Sequence, residues 1–361
     1  DEARGRHRQS GRRANPKLET ELWHRYDFGE GGFGLAFSQE FPITDRLRLE
    51  KEVTRIEIDA AEAEVRDVAR RLIGNAKAEA VKVLAAQQQR ALLDKQESVA
   101  NELATFVAGV AAKAEGSMLD ASQAALDAAQ LQLALQRLQT EEVSAIHALK
   151  PLLGWPANRA LLVAGNIAEL KPPSSSTIAV PQLRPDFQAA KLAAKAAARE
   201  LDLEKSKRWE DFEAGVFLDA ERTEDAPDGL ENEAALGVRL TIPLPWWNKN
   251  EGAIDEKRAK HRRLEKEALA MAQAIENEAA TALAMMRQHD QLITLTTQQL
   301  LPQARKHVAD LETAYKQGQG NLPSVLRARH QQLELEASYL DALRDYHLAR
   351  IRYETAIGTQ S

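Results

Sequence analysis

The clearest pattern in the chain is an alternation of apolar and polar residues between positions 209 and 245. The outgoing run places on one face Phe212, Ala214, Val216 and Leu218, and on the other Asp211, Glu213, Gly215 and Asp219. The returning run alternates Leu236, Val238, Leu240, Ile242 and Leu244 with Gly237, Arg239 and Thr241. A period of two predicts β-strands, and one apolar face opposite one polar face indicates a sheet between two different solvents. Residues 209–245 are therefore predicted to form a β-hairpin.

A second hairpin is predicted over residues 17–42. One face of its strands carries Leu18, Thr20, Leu22, His24, Tyr26, Phe28, Phe33, Leu35, Phe37, Gln39 and Phe41. The first strand presents on its other face Lys17, Glu19, Glu21, Trp23, Arg25 and Asp27. The glycine-rich run 29–32 predicts a tight turn between the strands. Pro42 is expected to end the second strand, because proline has no N–H to donate to a β-ladder.

Long helical patterns fill most of the remaining sequence. Residues 46–114 contain no proline and are rich in helix-forming residues, and at 1.5 Å per residue they predict a rod of about 100 Å. A return helix is predicted over 118–153, and residues 1–14 resemble the end of a helix. The second half predicts helices at 184–207, 251–315 and 321–357. Pro302 is expected to kink the second of these, because it removes a backbone hydrogen bond.

The two halves of the chain resemble each other. Gly34 and Pro42 before the first long helix correspond to Gly237 and Pro245 before the second, at the same interval of 203 residues. We therefore predict two repeats of strand, strand, long helix and shorter helix at 1–154 and 184–358, joined by an irregular segment at 155–183. Each repeat supplies two strands, whereas a closed barrel needs about eight or more. Because an open apolar sheet would aggregate, the pattern implies oligomerisation.

Composition narrows the function further. The chain has 361 residues, a net charge of −6 and no cysteine, which excludes disulfides and cysteine zinc sites and gives no general basic footprint for nucleic acid. Its longest apolar runs fall short of the roughly 18 to 20 residues of a membrane-spanning helix. No phosphate-binding loop is present, and the eight histidines show no metal-ligand spacing. We therefore expect no enzyme, no cofactor and no metal site.

In this order, several short motifs resemble the TolC-type outer-membrane efflux proteins over essentially the whole chain. The motifs are Asn15-Pro16-Lys17-Leu18, Ser38-Gln39-Glu40-Phe41-Pro42, Arg184-Pro185-Asp186, Ile242-Pro243-Leu244, Ala314-Tyr315-Lys316-Gln317-Gly318 and Leu326-Arg327-Ala328. The first two are similar to the heavy-metal and cation efflux branch, whereas Ile43-Thr44-Asp45-Arg46 departs from that branch's pattern.

The resemblance implies a mainly α-helical chain with a β-barrel contribution. It implies a homotrimer whose 12-stranded barrel lies in outer-membrane lipid of a Gram-negative bacterium and continues as a helical barrel through the periplasm. Its implied partners are a periplasmic adaptor and an inner-membrane pump of the proton-driven RND type. The chain would then be a passive exit duct for metal cations or small toxic compounds, and it would need no nucleic acid.

Two groups of residues are candidates for this function. The predicted barrel lumen is lined by Glu19, Glu21, Asp27, Asp211, Glu213 and Asp219. The predicted tip, which would gate the duct and contact the adaptor, contains Lys113, Glu115, Gly116, Asp120, Gly318, Gly320, Leu326, Arg327 and Arg329. Charged tip residues are hypothesised to form pairs between helices that hold the entrance shut.

Two other functions fit parts of the pattern. A duct for type I protein secretion would share the same architecture, and the sequence does not separate the two kinds of duct. A soluble coiled-coil scaffold would explain the long helices. Such a scaffold would need a layer over the apolar faces of the hairpins, and no helical segment is left over to supply one.

Overall fold

The computed structural model describes residues 1–26, 30–113, 117–170, 181, 184–225 and 229–358. The secondary structure begins with α1 (Glu2–Gln9), β1 (Lys17–His24), β2 (Gly31–Phe41), α2 (Arg46–Ala112) and α3 (Met118–Leu152). It continues with a short 3-10 turn (Ile167–Glu169), α4 (Pro185–Ser206), β3 (Phe212–Asp225), β4 (Gly229–Thr241) and α5 (Glu251–Leu295). It ends with a π-helical turn (Thr296–Leu300), α6 (Leu301–Lys316) and α7 (Leu322–Ile357). No helix within the described ranges combines the length and the hydropathy needed to cross a membrane.

The four strands form one antiparallel sheet in the order β1-β2-β3-β4. The register pairs Leu18 with Phe37, Phe37 with Val216, and Val216 with Val238, so the apolar positions of all four strands share one face. Strands β1 and β4 lie at the two edges, and in the described part of the chain each pairs with only one neighbour. The two predicted hairpins therefore join into a single sheet with two open edges.

The chain divides into two compact units. The first contains residues 1–66 and 185–272, and the second contains residues 67–184 and 273–361. This division does not follow the two sequence repeats, because each unit draws residues from both halves of the chain. The reason is the length of α2: a helix of 67 residues extends too far for both of its ends to share one core.

The second unit is held together by buried clusters that combine alanine with larger apolar residues. One buried cluster joins Ala279, Ala282 and Met286 to Ala349, Tyr353, Ala356 and Ile357. Another joins Val81 and Ala85 to Ile167, Leu343 and Ile351. Alanine at some of these contacts lets the helices approach closely, and the larger side chains fill the space that remains between them. His347 also contributes here, because its Nε2 lies 3.0 Å from the carbonyl oxygen of Ile167.

Two buried arginines satisfy the carbonyl end of α7. Arg70 Nη1 donates to the carbonyl of Thr355 at 2.5 Å, and Arg184 Nη1 donates to the carbonyl of Ala356 at 3.4 Å. The last carbonyls of a helix lack partners within the helix, and a cation there also opposes the negative end of the helix dipole. Each guanidinium also has a carboxylate partner. Asp67 Oδ1 lies 2.6 Å from Arg70 Nη2, and Glu278 Oε2 lies 2.7 Å from Arg184 Nη1.

The helix predicted over 251–315 is continuous but changes its hydrogen-bond pattern near Pro302. Helix α5 ends at Leu295, a π-helical turn occupies Thr296–Leu300, and α6 begins at Leu301. Pro302 closely follows the π-helical turn, at one of the first two positions of α6. The π-turn takes up the disruption that the sequence assigned to a kink at the proline itself.

Candidate functional site

The polar face of the sheet gathers most of the predicted lumen residues. Glu19 lies in register with Ala36, Phe217 and Gly237 across the four strands, and Glu21 lies in register with Gly34, Asp219 and Ala235. Glu213 occupies the same face, since its register partners are Glu40 and Thr241. Four predicted residues, Glu19, Glu21, Glu213 and Asp219, are thus brought onto one surface. Asp27 lies outside the described residues.

Asp211 differs from these four. It precedes the first residue of β3, and its carboxylate lies 2.5 Å from Arg46 Nη2. Arg46 also pairs with Glu50 at 2.8 Å. Arg46 and Asp211 line the wall of a cavity of about 730 Å³ beside the strand ends. Burial acts to lower the pKa of Arg46, but hydrogen bonds and charge from Asp211 and Glu50 outweigh it and raise that pKa. The short distance to Arg46 makes Asp211 half of an ion pair.

Two charged residues that were not among the predicted lumen residues, Lys17 and Glu40, lie on the same face. Lys17 Nζ lies 2.7 Å from Glu40 and 3.5 Å from Glu213. Glu40 is the last residue of β2 on the polar face, two residues after Ser38, as the alternation in the sequence predicts. One cation thus bridges carboxylates on two neighbouring strands at the end of the sheet where β1 begins.

The polar face also contains an aromatic residue. Phe217 alternates with Gly215 and Asp219, so it belongs to this face, although the prediction for β3 placed only acidic residues and glycine there. The guanidinium of Arg239 lies 5.3 Å from the centre of its ring. A Cβ at Gly237 would collide with the ring, which explains why glycine stands opposite Phe217.

The opposite face of the sheet is apolar and exposed. The exposed fraction is 82% for Leu22, 81% for Leu236 and 79% for Val238. Phe33, Phe37, Val216, Leu218 and Leu240 on this face are also exposed. Large apolar side chains in such numbers on one surface mark a site that contacts a membrane or another protein.

The second candidate region is the pair of helix connections between α2 and α3 and between α6 and α7. Ser117 caps α3 by accepting from the N–H of Leu119 at 3.2 Å, and Asn321 caps α7 by accepting from the N–H of Ser324 at 3.0 Å. Gly318 has a φ of +74°, which is the left-handed conformation that glycine adopts at little cost after a helix. Local sequence thus fixes the described parts of both connections. Glu115 and Gly116 lie outside the described residues.

The tip candidates separate into buried and exposed residues. Leu326 is buried with Val107, Ala124 and Leu322, so its side chain stabilises the helix pairs and is not presented at the surface. Burial, and secondarily the charge of Asp120, raises the pKa of the neighbouring Tyr315. The exposed candidates are Lys113, Gly318, Gly320 and Arg327.

One of the charged tip residues, Arg329, forms an ion pair between helices. Arg329 on α7 lies 2.6 Å from Glu312 on α6 and also donates to the carbonyl of Val99 at 3.4 Å. Lys113 and Arg327 form no ion pair with any described residue. Two exposed apolar side chains, Met118 at 71% and Leu119 at 75%, begin α3 and were not predicted as tip residues. Their signal in the sequence was two large apolar residues directly after a helix cap.

Nothing in the described ranges suggests a metal centre. No group of three or more histidine, cysteine, aspartate or glutamate side chains in those ranges is arranged to hold an ion. The acidic side chains of the sheet instead lie in rows along its polar face, an arrangement that suits transient attraction of cations rather than tight binding.

Comparison with known proteins identifies the family. Residues 180–359, about half of the chain, match the family model described as "Outer membrane efflux protein". The chain belongs to the outer membrane efflux protein family. It is therefore an outer-membrane efflux channel protein, and the TolC-type resemblance is confirmed. No curated protein sequence matches the chain.

Solved structures share the fold over nearly the whole chain. The match to CusC covers 99% of this chain and 87% of the CusC chain, with 20% sequence identity and a TM-score of 0.82. The match to VceC from Vibrio cholerae covers 99% of this chain and 90% of the VceC chain, with 19% sequence identity and a TM-score of 0.77. The match to MtrE from Neisseria gonorrhoeae, solved in an open state, covers 99% of this chain and 83% of the MtrE chain. The sequence identity is 17% and the TM-score is 0.77. At these identities the likeness establishes the fold.

Proposed function

We propose that the chain forms the exit duct of a tripartite efflux system. In this role it conducts substrates passively, and an inner-membrane pump of the RND type delivers them with the help of a periplasmic adaptor. The observation that carries the proposal is the four-stranded sheet, which has an exposed apolar face, an acidic polar face and two open edges. The similar structures include CusC, for which transmembrane channel formation is described, and the MtrE outer membrane channel.

A homotrimer accounts for the open edges. If β1 of one copy pairs with β4 of the next, three copies of the sheet close into a barrel of 12 strands with no free edge. The apolar faces then meet lipid and the polar faces line a water-filled lumen, which is the alternation of a membrane barrel. A soluble scaffold would leave side chains such as Leu22 and Leu236 in water, because no described element covers them.

The charge of the polar face supports cationic substrates. Its carboxylates by register are Glu19, Glu21, Glu40, Glu213, Asp219, Glu221, Glu231 and Glu233, and its cations are Lys17 and Arg239. Three copies would multiply this excess of negative charge around one lumen. Such a lumen concentrates cations and repels anions. Metal cations or small cationic toxic compounds are therefore the substrate class that we propose.

The helix connections support docking of the adaptor. Met118 and Leu119 offer exposed apolar surface, and Lys113 and Arg327 offer cations that are not paired within the described part of the chain. Apolar anchors with a charged rim are typical of protein interfaces. The Arg329–Glu312 pair holds α6 against α7 at 2.6 Å, so a partner that pulls these helices apart must break it.

The test is single-channel recording of the purified protein in planar lipid bilayers. We expect a conducting trimer that prefers cations. Glu19→Gln, Glu21→Gln and Asp219→Asn together should lower the cation-to-anion permeability ratio, whereas Glu62→Gln, which removes an exposed carboxylate of α2, should leave it unchanged. A water-soluble monomer without conductance would refute the duct, and an anion-selective pore would refute the substrate class.

A further inference from the structure

The apolar face of β4 continues beyond the end of the strand. Leu240 is 59% exposed within β4, and Ile242 and Leu244 remain 50% and 56% exposed after the strand has ended at Thr241. Trp246 and Trp247 follow, at 69% and 92% exposure. Large aromatic side chains are rarely left this open in a folded protein unless they meet a membrane or a partner. We name residues 242–247 the tryptophan segment.

The tryptophan segment has restricted backbone freedom. Pro243 and Pro245 each fix one φ angle, and the N–H of Trp246 donates to the carbonyl of Leu244 at 2.9 Å. The rings of Trp246 and Trp247 meet edge to face with centres 6.1 Å apart. The two indoles are therefore displayed in a defined arrangement and not on a free loop.

Asn250 anchors the end of this stretch to α4. Its φ is +57°, a left-handed value that a non-glycine residue adopts only when its surroundings enforce it. Its side-chain amide donates to the carboxylate of Glu204 at 2.9 Å and to the carbonyl of Glu204 at 3.1 Å, and its N–H donates to Asn248 Oδ1 at 3.0 Å. These bonds hold the direction in which the chain leaves the two tryptophans.

The length of the apolar stripe matches a lipid core. On the apolar face, Arg222 and its register partner Asn232 mark the polar limit at one end. The stripe then runs from Ala234 to Leu244. Its last three residues lie beyond the strand, where Pro243 and Pro245 favour extended backbone at the residues before them. At about 3.1–3.4 Å per residue with a tilt near 40°, the stripe spans roughly 25 Å along the membrane normal. A membrane barrel shows an apolar band of about 25 Å bordered by aromatic residues. The tryptophan segment ends where that border belongs.

The order of residues after the stripe reproduces the polarity profile of a bilayer surface. Leu244 is aliphatic, Trp246 and Trp247 are amphipathic, and Asn248 and Lys249 are polar and exposed. Tryptophan favours the boundary between acyl chains and headgroups, because its ring is apolar and its N–H needs a polar partner. We propose that the tryptophan segment lies in the headgroup layer of the membrane and fixes the depth at which the sheet sits. This inference rests on the proposed function, since it requires the sheet to be in lipid.

The test uses quenching of tryptophan fluorescence in vesicles of phosphatidylcholine brominated at either the shallow or the deep part of its acyl chain. One full-length variant carries Trp23→Phe, Trp155→Phe and Trp209→Phe, and so retains the native pair. A second carries phenylalanine at all five tryptophan positions together with Val238→Trp in the middle of the stripe. A third retains only the tryptophan at 155, whose ring packs 3.9 Å from the guanidinium of Arg159.

We expect shallow bromine to quench the native pair more than deep bromine, and deep bromine to quench the Val238→Trp variant most. The variant that retains only position 155 should lose no fluorescence to either lipid. If the Val238→Trp variant is quenched but the native pair is not, the tryptophan segment does not lie in the headgroup layer, although the sheet is in the membrane. If neither is quenched, both the inference and the proposed membrane duct fail.

Discussion

A single charge placed on either face of β4 distinguishes a membrane sheet from a soluble one. Val238 lies on the apolar face and is 79% exposed, while Ala235 lies three residues away on the polar face and is also exposed. In water, arginine at either position should change the free energy of unfolding by no more than about 0.5 kcal/mol, because neither side chain is buried. In a bilayer the two positions have different surroundings, since Val238 would face lipid and Ala235 would face the lumen.

The expected cost follows from position along the stripe. The apolar stripe runs from Ala234 to Leu244, so Val238 and Leu240 lie near its centre and Leu236 lies nearer one end. Arginine on the lipid face of a barrel costs about 2–4 kcal/mol at the midplane and about 0–1 kcal/mol near the interface. We therefore expect Val238→Arg and Leu240→Arg to destabilise each chain by about 3 kcal/mol, roughly a 150-fold shift in the folding equilibrium. Leu236→Arg should cost less than either.

The assay is reversible unfolding by guanidinium in lipid vesicles, at one protein concentration for all variants because the assembled state depends on it. Ala235→Arg is the matched control. An arginine at position 235 should be tolerated for a second reason, because it would lie opposite the carboxylate of Asp219 on the polar face. Equal costs for Val238→Arg and Ala235→Arg would refute the membrane placement of the sheet. A cost that did not fall toward Leu236 would refute the placement of the stripe across the bilayer.

Three further predictions concern stability. Burial, and then Arg350, lower the pKa of His347 from 6.5 to about 4. Between these pH values the unfolded state binds a proton that the folded state does not, so the free energy of unfolding should fall by about 3 kcal/mol as pH drops from 6.5 to 4. Chemical denaturation at a series of pH values should show this loss in the native protein and not in His347→Gln. Arg70→Leu should cost about 3 kcal/mol by chemical denaturation, because it removes one partner of the buried Asp67 carboxylate, and adding Asp67→Leu should recover part of that loss rather than add to it. Asn250→Gly should be about 1 kcal/mol more stable than Asn250→Ala, since both lose the amide but only glycine accepts a positive φ at little cost; equal thermal midpoints for the two would contradict this account.

The sheet was the most predictable part of the chain, because side-chain alternation in a strand is a local property. Glu19, Glu21, Glu213 and Asp219 could be placed on one face from the sequence, and the register across four strands agrees with that placement. Phe217 was missed although the same alternation puts it on the polar face. The error came from sorting residues by polarity, whereas the position in the strand decides the face.

The helices were predictable in outline and not in their contacts. An uninterrupted pattern without proline is enough to predict α2, but the π-turn before Pro302 depends on how a helix absorbs a missing N–H, which composition does not specify. The partner of Arg329 is Glu312, 17 residues earlier on the neighbouring helix. Long side chains reach several neighbours at once, so only packing decides which one is used. The arginines that cap α7 were unpredictable for the same reason.

The exposure of large apolar side chains differs between the two units, and this difference bears on how the duct forms. The apolar clusters of the second unit combine alanine with larger residues such as Leu343 and Ile351, and they are buried within one chain. The sheet of the first unit instead holds large apolar side chains such as Phe37 and Leu236 in exposed positions. Burying such a side chain stabilises a protein by about 1.5–3 kcal/mol, and the isolated chain lacks this stabilisation because these side chains remain exposed. In the proposed duct, lipid and the neighbouring sheets supply it, so closure of the barrel is driven by the surfaces that the isolated chain leaves uncovered.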